Sequence, residues 1–330
     1  MDWKPYYRGE IESMSGRETV ETLLRGAVPG AIDELLIGEA IVSFPHTALR
    51  YAGPLQARVV RMIYRLGIER VIALGVLHGS SVAVYKKASD AKAPTEQRRA
   101  ACDAVSGGFL LPSESIVTPS GDLPIDPAVP SEEVPVRVDS AGILTDKFSL
   151  DTFFALMRRE ADRCGVSPIP VFPIFIGLTR DPIDRSFDVA RRIGEWVRSI
   201  ACETHGGPAT AVVATGDLVH YGTAYGTSDA TPAEPLPEIE RRFRREVDRV
   251  LSAALTERDW ELAYRLSHDM LHNDQREISA VISEVLGSAT HGVLHFELSD
   301  YAKILDTAPP CLVASALIAY IRSEADGVGR

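Results

Sequence analysis

RVIALGVLHGSS, residues 70–81, is the stretch that decides the fold. It is a short β-rich apolar run that ends in a histidine and a Gly-Ser-Ser turn, which predicts a buried strand over 70–77. Similar runs bounded by turn residues predict further strands at 40–44, 168–177, 209–216 and 292–298.

Helical patterns lie between these strands. Apolar residues recur at three- and four-residue steps over 54–66, 149–163, 183–203 and 237–286. Because strands alternate with helices, we predict an α/β fold with a central mixed β-sheet and helices on both faces. The length of 330 residues fits one large domain or two small ones, and we expect a single domain over residues 1–330.

Two stretches differ from this pattern. Residues 86–147 are rich in Pro, Ser, Asp and Glu, and we interpret them as a long loop-rich insertion, either a functional lid or a flexible excursion. A second Pro-rich loop is predicted at 230–237.

The charge balance argues against nucleic acid as a partner. The formal net charge is −11, and such a surface repels phosphate backbones. The cluster of Arg241, Arg242, Arg244 and Arg245 lies among acidic residues on one predicted helix, which favours a solvated face over a binding patch.

The remaining composition indicates a cytoplasmic protein. The four cysteines are far apart and form no CxxC pair, so neither a disulfide framework nor a zinc ribbon is predicted. The N-terminal MDWKPYYRGEIES has no apolar core and does not resemble a signal peptide. No apolar run is long enough for a transmembrane helix, so we expect no membrane partner.

Three histidines follow predicted strands. His46 follows 40–44, His78 follows 70–77, and His220 follows 209–216 by a few residues, with Asp217 before it. Ligands of open α/β sheets bind beyond the carboxyl ends of the strands, where these side chains can converge. Imidazole is the commonest metal ligand and also a proton shuttle, although a single histidine at a strand end is more often structural.

Other candidates have weaker support. Tyr51, Tyr221 and Tyr225 follow the same strands; we keep Tyr51 and Tyr221 as substrate-binding candidates, with aromatic wall packing as the alternative. For His205, His291 and His295 we favour loop, core or surface roles, and for Cys311 a place in the core.

The ordered motifs PHTALRYAG (45–53), LGVLH (74–78) and TGDLVHYG (215–222) resemble the MEMO family. That family belongs to the superfamily of class III (LigB-type) extradiol dioxygenases. FSLDTFFALM followed by PIPVFPIFIGL, and the closing CLVASALIAYI, are also similar to family segments, so the resemblance covers about residues 37 to 320.

The resemblance implies a metal site. His46 and His78 would be two ligands, with Asp217 and His220 flanking the metal and His220 acting as acid and base. The family cysteine would fall near Asn273, where this chain has none, and Glu277 fits the glutamate of the ring-cleaving branch. His272 and Asp274 compete with Glu277 for the third position, and a first-turn helix acid is the alternative role of Glu277.

One further position departs from the family. Phe148 replaces its histidine, and only Ser149 and Asp151 keep the polar character of that segment. Asp151 would lie behind the site or, as we favour, at a helix start.

Two histidines and a carboxylate are the ligands of non-haem Fe(II) oxygenases. We therefore expect an Fe(II) oxygenase that acts on a small catechol- or aminophenol-like substrate with O2, with Cu and Zn as alternative metals. The competing hypotheses are a non-catalytic metal- or peptide-binding protein and a metal-dependent hydrolase. A homodimer is a common arrangement for such enzymes.

Overall fold

A computed structural model of the chain describes residues 3–27, 40–78, 90, 92–126, 128, 130–201, 207–227 and 236–323. The Gly-Ser-Ser turn at 79–81, Cys202, His205 and most of the predicted Pro-rich loop at 230–237 lie outside the described residues. No helix in the described ranges is long and apolar enough to cross a lipid bilayer.

A mixed sheet forms the centre of the fold. Its nine strands are β1 (Ala40–Phe44), β2 (Arg70–Val76), β3 (Gly108–Leu110), β6 (Val136–Val138), β7 (Val171–Ile176), β8 (Thr210–Thr215), β9 (His220–Gly222), β10 (Ala289–Asp300) and β11 (Cys311–Arg322). Their order is β10-β11-β1-β8-β2-β7-β3-β6, and β9 pairs with β11. β4 (Ser115–Thr118) and β5 (Gly121–Pro124) form a separate hairpin.

Ten α-helices are assigned within the described residues. They are α1 (Trp3–Glu12), α2 (Met14–Gly26), α3 (Leu49–Arg65), α4 (Thr95–Val105), α5 (Asp151–Cys164), α6 (Asp188–Ala201), α7 (Leu236–Leu255), α8 (Trp260–Leu266), α9 (Ser279–Leu286) and α10 (Ala302–Leu305). Short 3-10 turns span Thr223–Tyr225 and Asp274–Glu277, and a π-helical turn spans Ser267–Leu271.

The central strands are buried on both faces. Along β2, Ile72 and Leu74 pack into one apolar cluster, whereas Val71 and Ala73 pack into the other. Helices α6, α7, α8 and α9 cover the first face, and α3 and α5 cover the second. The predicted α/β class with helices on both faces of a mixed sheet is confirmed, because alternate side chains of one strand bury apolar surface in opposite directions.

Within 86–147, the described residues form α4 and four short strands, of which β3 and β6 extend the main sheet, and the other described residues lie mostly in turns and loops. One prediction of secondary structure needs correction. The single helical pattern predicted over 237–286 is divided into three helices. One division falls at Arg258, which has a left-handed backbone (φ 54°), and Asp259 then caps the start of α8, because its side chain accepts a hydrogen bond from Leu262 N.

Candidate metal centre

The site lies where three neighbouring parallel strands end. β1 and β2 both pair in parallel with β8, so their carboxyl ends meet at one edge of the sheet. His46 lies two residues beyond β1, His78 two residues beyond β2, and Asp217 two residues beyond β8. His220 begins β9, which pairs with β11.

Three side-chain atoms form a nearly equilateral triangle at this edge. His46 Nε2 lies 3.2 Å from His78 Nε2 and 3.4 Å from Asp274 Oδ2, and His78 Nε2 lies 3.2 Å from the same carboxylate oxygen. Metal–ligand bonds of about 2.1 Å place neighbouring ligands about 3.0 Å apart at right angles and about 3.4 Å apart in a tetrahedron. The spacing of the three atoms therefore fits three ligands on one face of the coordination sphere of a single transition-metal ion.

The hydrogen bonds of His46 aim its Nε2 lone pair at this triangle. Thr215 Oγ1 donates its hydrogen to the Phe44 carbonyl at 3.0 Å, so it accepts from His46 Nδ1 at 3.1 Å. Nε2 of the neutral ring then carries no proton. Burial lowers the pKa of His46 to about 4; a hydrogen bond with Asp274 opposes this shift of the pKa, and the nearby His78 adds to it. The side chain thus has the neutral, correctly oriented form that a metal ligand needs.

His220 is held in the same tautomer by a backbone carbonyl. Its Nδ1 donates to the carbonyl of His272 at 2.8 Å, and its Nε2 lies 3.7 Å from Asp274 Oδ2. His272 has a left-handed backbone (φ 48°), which is unusual for a residue with a side chain and ends the π-helical turn. Tyr225 packs on the His220 ring with centroids 4.7 Å apart. His220 Nε2 therefore faces the carboxylates of the site, and with Asp217 and Asp274 it forms a second group of atoms that could hold a metal ion.

Two carboxyl groups at the site, of the buried Asp217 and the half-buried Asp274, differ in their electrostatics. Burial raises the pKa of Asp217 well above its usual range, and the charge of Asp274 raises this pKa further. Burial also opposes ionisation of Asp274, but the neighbouring His220, His78 and His46 hold its pKa well below the ordinary value. Asp274 is therefore the ionised carboxylate of the triangle, whereas Asp217 accepts a hydrogen bond from the His46 backbone N–H at 3.2 Å.

Glu277 is not at the triangle. Its carboxylate accepts hydrogen bonds from Thr179 N at 2.9 Å and Tyr264 OH at 3.0 Å, and Thr179 Oγ1 donates to the backbone carbonyl of Glu277 at 2.7 Å. Asp274, one of the two residues that compete with Glu277 for the third position, joins His46 and His78 in the structure, and Glu277 does not. Asp274 and Glu277 are the first and the last residue of the 3-10 turn Asp274–Glu277, and their side chains point to different partners. Asp274 points to the two histidines, whereas Glu277 points to Thr179 and Tyr264.

The histidines and carboxylates open into an aromatic cavity of about 260 Å³. Its wall includes Tyr7, Phe148, Tyr225 and Tyr301, together with Arg276. Phe148 stacks on the His78 ring with centroids 4.8 Å apart. Phe148 thus forms an apolar wall next to His78.

The two predicted substrate-binding tyrosines lie outside this wall. Tyr51 packs against Tyr301 with centroids 5.2 Å apart, and Tyr221 packs against Phe243 at 5.1 Å. Tyr221 follows His220 in β9, and alternate residues of a strand point to opposite faces, so it faces away from the cavity. Both tyrosines therefore pack against other aromatic rings, which is the alternative to substrate binding that the sequence leaves open for them.

Several wall residues were not predicted from the sequence. Tyr7 belongs to α1, a segment for which the sequence predicts no site residue, and its ring lies 5.3 Å from Phe148. Tyr301 accepts a hydrogen bond from Ala48 N at 2.7 Å, just beyond His46. These contacts join residues far apart in the chain, so no local pattern could indicate them.

The remaining candidates are explained by other contacts. His291 pairs with Asp248 at 2.7 Å and His295 with Glu297 at 3.5 Å, and neither histidine lines the cavity. Asp151 lies in the first turn of α5, as we favoured, and Ser149 Oγ binds both N and O of Val76 at 3.1 Å. Ser149 thereby fixes the end of the strand that carries His78.

No protein-family model matches the chain, and no curated protein is significantly similar to it. The chemistry of the site is therefore inferred from its own residues. Two imidazoles and one carboxylate within 3.4 Å of one another, beside a further histidine and an aromatic cavity, could hold a metal ion next to a small planar ligand.

Proposed function

We propose that this protein is a non-haem Fe(II) oxygenase that acts on a small aromatic diol or aminophenol with O2. The observation that carries the proposal is the triangle of His46 Nε2, His78 Nε2 and Asp274 Oδ2, with edges of 3.2 to 3.4 Å. Such a two-histidine, one-carboxylate set is the ligand arrangement of non-haem Fe(II) oxygenases, in which other positions remain open. The MEMO-like and LigB-like motifs support the same chemistry.

The side chains around the triangle account for substrate binding. Phe148 and Tyr225 provide flat apolar surfaces on two sides, and aromatic rings pack well against such surfaces. A volume of about 260 Å³ is at the lower end of ligand cavities, which favours a substrate with a single ring.

His220 is the proposed proton acceptor. Because its Nδ1–H is bonded to the His272 carbonyl, Nε2 accepts the proton of a substrate hydroxyl and can return it later in the reaction. Asp217 lies beside it and lines the same cavity. Bound Fe(II) would supply the redox chemistry with O2, which the protein side chains do not have.

The overall reaction balances without another reductant. A carbon–carbon bond of the aromatic ring next to the diol is broken, and both atoms of O2 enter the ring-opened product. The ring is oxidised, O2 is reduced, and the proton taken by His220 returns to the product.

Isotope labelling tests this proposal. Protein loaded anaerobically with Fe(II) is mixed with catechol or 2-aminophenol and ¹⁸O2, and the product is analysed by mass spectrometry. We expect both labelled atoms in a ring-opened product, and a loss on the order of 100-fold or more in rate for His220→Ala. Tight iron binding without O2 consumption would favour the non-catalytic binding protein, and metal-dependent turnover without O2 would favour the hydrolase.

A further inference from the structure

The end of the segment 86–147 lies against the metal centre. Lys147, its last residue, is only 5% exposed, which is unusual for a lysine because burial removes water from the amino group. Its Nζ donates a hydrogen bond to the backbone carbonyl of His78. A buried amino group that does not itself line the cavity thus holds the backbone of a residue of the metal centre.

Two further residues of the same chain segment contact this strand end. β2 ends at Val76, two residues before His78. Ser149 Oγ lies 3.1 Å from both N and O of Val76, and the Phe148 ring stacks on the His78 ring with centroids 4.8 Å apart. Residues 147–149 therefore contact the strand end at three points, which are the Val76 backbone, the His78 imidazole and the His78 carbonyl.

Asp139 orders the turn from which Lys147 extends. Its Oδ1 accepts hydrogen bonds from Ala141 N at 3.1 Å and Ile143 N at 3.0 Å, and its Oδ2 accepts one from Leu144 N at 2.7 Å. The Leu144 side chain is buried in the apolar core, and its carbonyl accepts a hydrogen bond from Lys147 N at 3.2 Å. The turn is thus fixed by polar contacts within it and by apolar contacts below it.

We propose that Lys147 is a positioning residue, whose hydrogen bond to the His78 carbonyl aims the His78 imidazole at the metal. A functional side chain has to be held within about 0.5 Å of its productive position, and the ring of His78 lies at the end of a side chain that amplifies any rotation of its backbone. Groups that support a metal ligand typically account for about 10- to 100-fold in metal affinity. This inference rests on the proposed function, since it assumes that a metal ion binds at His78.

Titration with Co(II) tests this role without turnover. Fe(II) and Co(II) bind similar nitrogen and oxygen ligands, and the visible absorption of Co(II) reports the geometry of its ligands. Lys147→Met removes the hydrogen-bond donor but keeps the length of the side chain. We expect a loss of about 10-fold in Co(II) affinity and a changed absorption spectrum even when Co(II) saturates the protein. A variant that is merely less stable would show the wild-type spectrum at saturation.

Two further variants make the result specific. Lys147→Arg keeps a charged donor and should recover part of the affinity and of the wild-type spectrum. Lys4→Met removes a lysine whose Nζ donates to the Thr145 carbonyl of the same segment at 2.5 Å, and it should behave as the wild type. A wild-type affinity and spectrum in Lys147→Met, or an equal change in Lys4→Met, would overturn the role of Lys147 alone. Failure of the wild type to bind Co(II) would overturn this role and the proposed function together.

Discussion

At the scale of single residues, the orientation of His46 depends on a hydroxyl group behind it. Thr215 is fully buried and bridges the His46 ring and the Phe44 carbonyl. Partners of this kind fix the tautomer of a ligand, and their loss typically costs about 10- to 100-fold in metal affinity.

We therefore predict that Thr215→Val weakens Fe(II) binding by about 10- to 100-fold, because the near-isosteric side chain cannot accept the Nδ1 proton of His46. Anaerobic titration with Fe(II) in the presence of a competing chelator measures the change. Thr215→Ser keeps the hydroxyl and should bind iron with nearly wild-type affinity. Equal affinities of the valine and serine variants would show that the hydroxyl does not orient His46.

The sequence indicates some residues of the site better than others. His46, His78, Asp217 and His220 closely follow apolar strands, so the rule for strand ends finds them. Asp274 lies in an irregular segment between a π-helical turn and α9, where periodicity carries no signal. Which of Asp274 and Glu277 reaches the two histidines depends on the direction of their side chains within one 3-10 turn. Tertiary contacts set this direction, and a local sequence pattern does not reveal them.

At the scale of elements, the turn that carries Asp274 packs on the end of β8. A Cβ atom added at Gly216 would lie 2.2 Å from Gln275 Cγ. Gln275 is fully buried and accepts a hydrogen bond from Tyr320 OH at 2.6 Å; its amide also donates to Ser43. It cannot move aside without breaking these bonds.

Gly216→Ala should therefore lower the free energy of unfolding by about 1–3 kcal/mol and also weaken iron binding, since the displaced turn carries Asp274. Chemical denaturation and metal titration measure the two effects. Gly292→Ala is a suitable control, because nothing lies within 4 Å of the added Cβ atom in β10. A Gly216→Ala variant that is as stable as the control would contradict the close contact.

The first turn of α5 gives a prediction about pH. Burial raises the pKa of Asp151 to about 6, although Lys4 and Arg8 of α1 oppose this shift of the pKa. Because the folded state holds the proton more tightly than the unfolded chain, Asp151 destabilises the fold above pH 6, and this penalty disappears as the pH falls towards 4.

Asp151→Asn should accordingly raise the free energy of unfolding by about 1–2 kcal/mol at pH 8, after allowance for the lost charge at the helix start. The gain should shrink as the pH falls from 6 to 5. Urea denaturation of both proteins across this range measures it. A gain that does not change with pH would mean that Asp151 is ionised normally in the folded protein.

At the scale of the whole molecule, hydrophobic patterning predicts the layers better than the connections. The strands at 40–44, 70–77 and 209–216 were predicted to within a few residues because both faces of each strand are apolar. β3 and β6 are three residues long and lie in a Pro-rich stretch, so composition conceals their place in the sheet. Helix α1, which supplies Tyr7 to the cavity, closes a site whose other residues come from distant parts of the chain.

The most direct test of the central claim is the iron content of two matched variants after anaerobic loading with Fe(II) and removal of unbound metal. We predict about one iron per chain in the wild type and in Glu277→Gln, and almost none in Asp274→Asn, because among the described residues Asp274 alone forms a group of potential ligand atoms with His46 and His78. Glu277→Gln should instead lower stability, since the Thr179 and Tyr264 hydrogen bonds are weakened. Iron retained by Asp274→Asn, or lost from a folded Glu277→Gln, would contradict the metal centre described above.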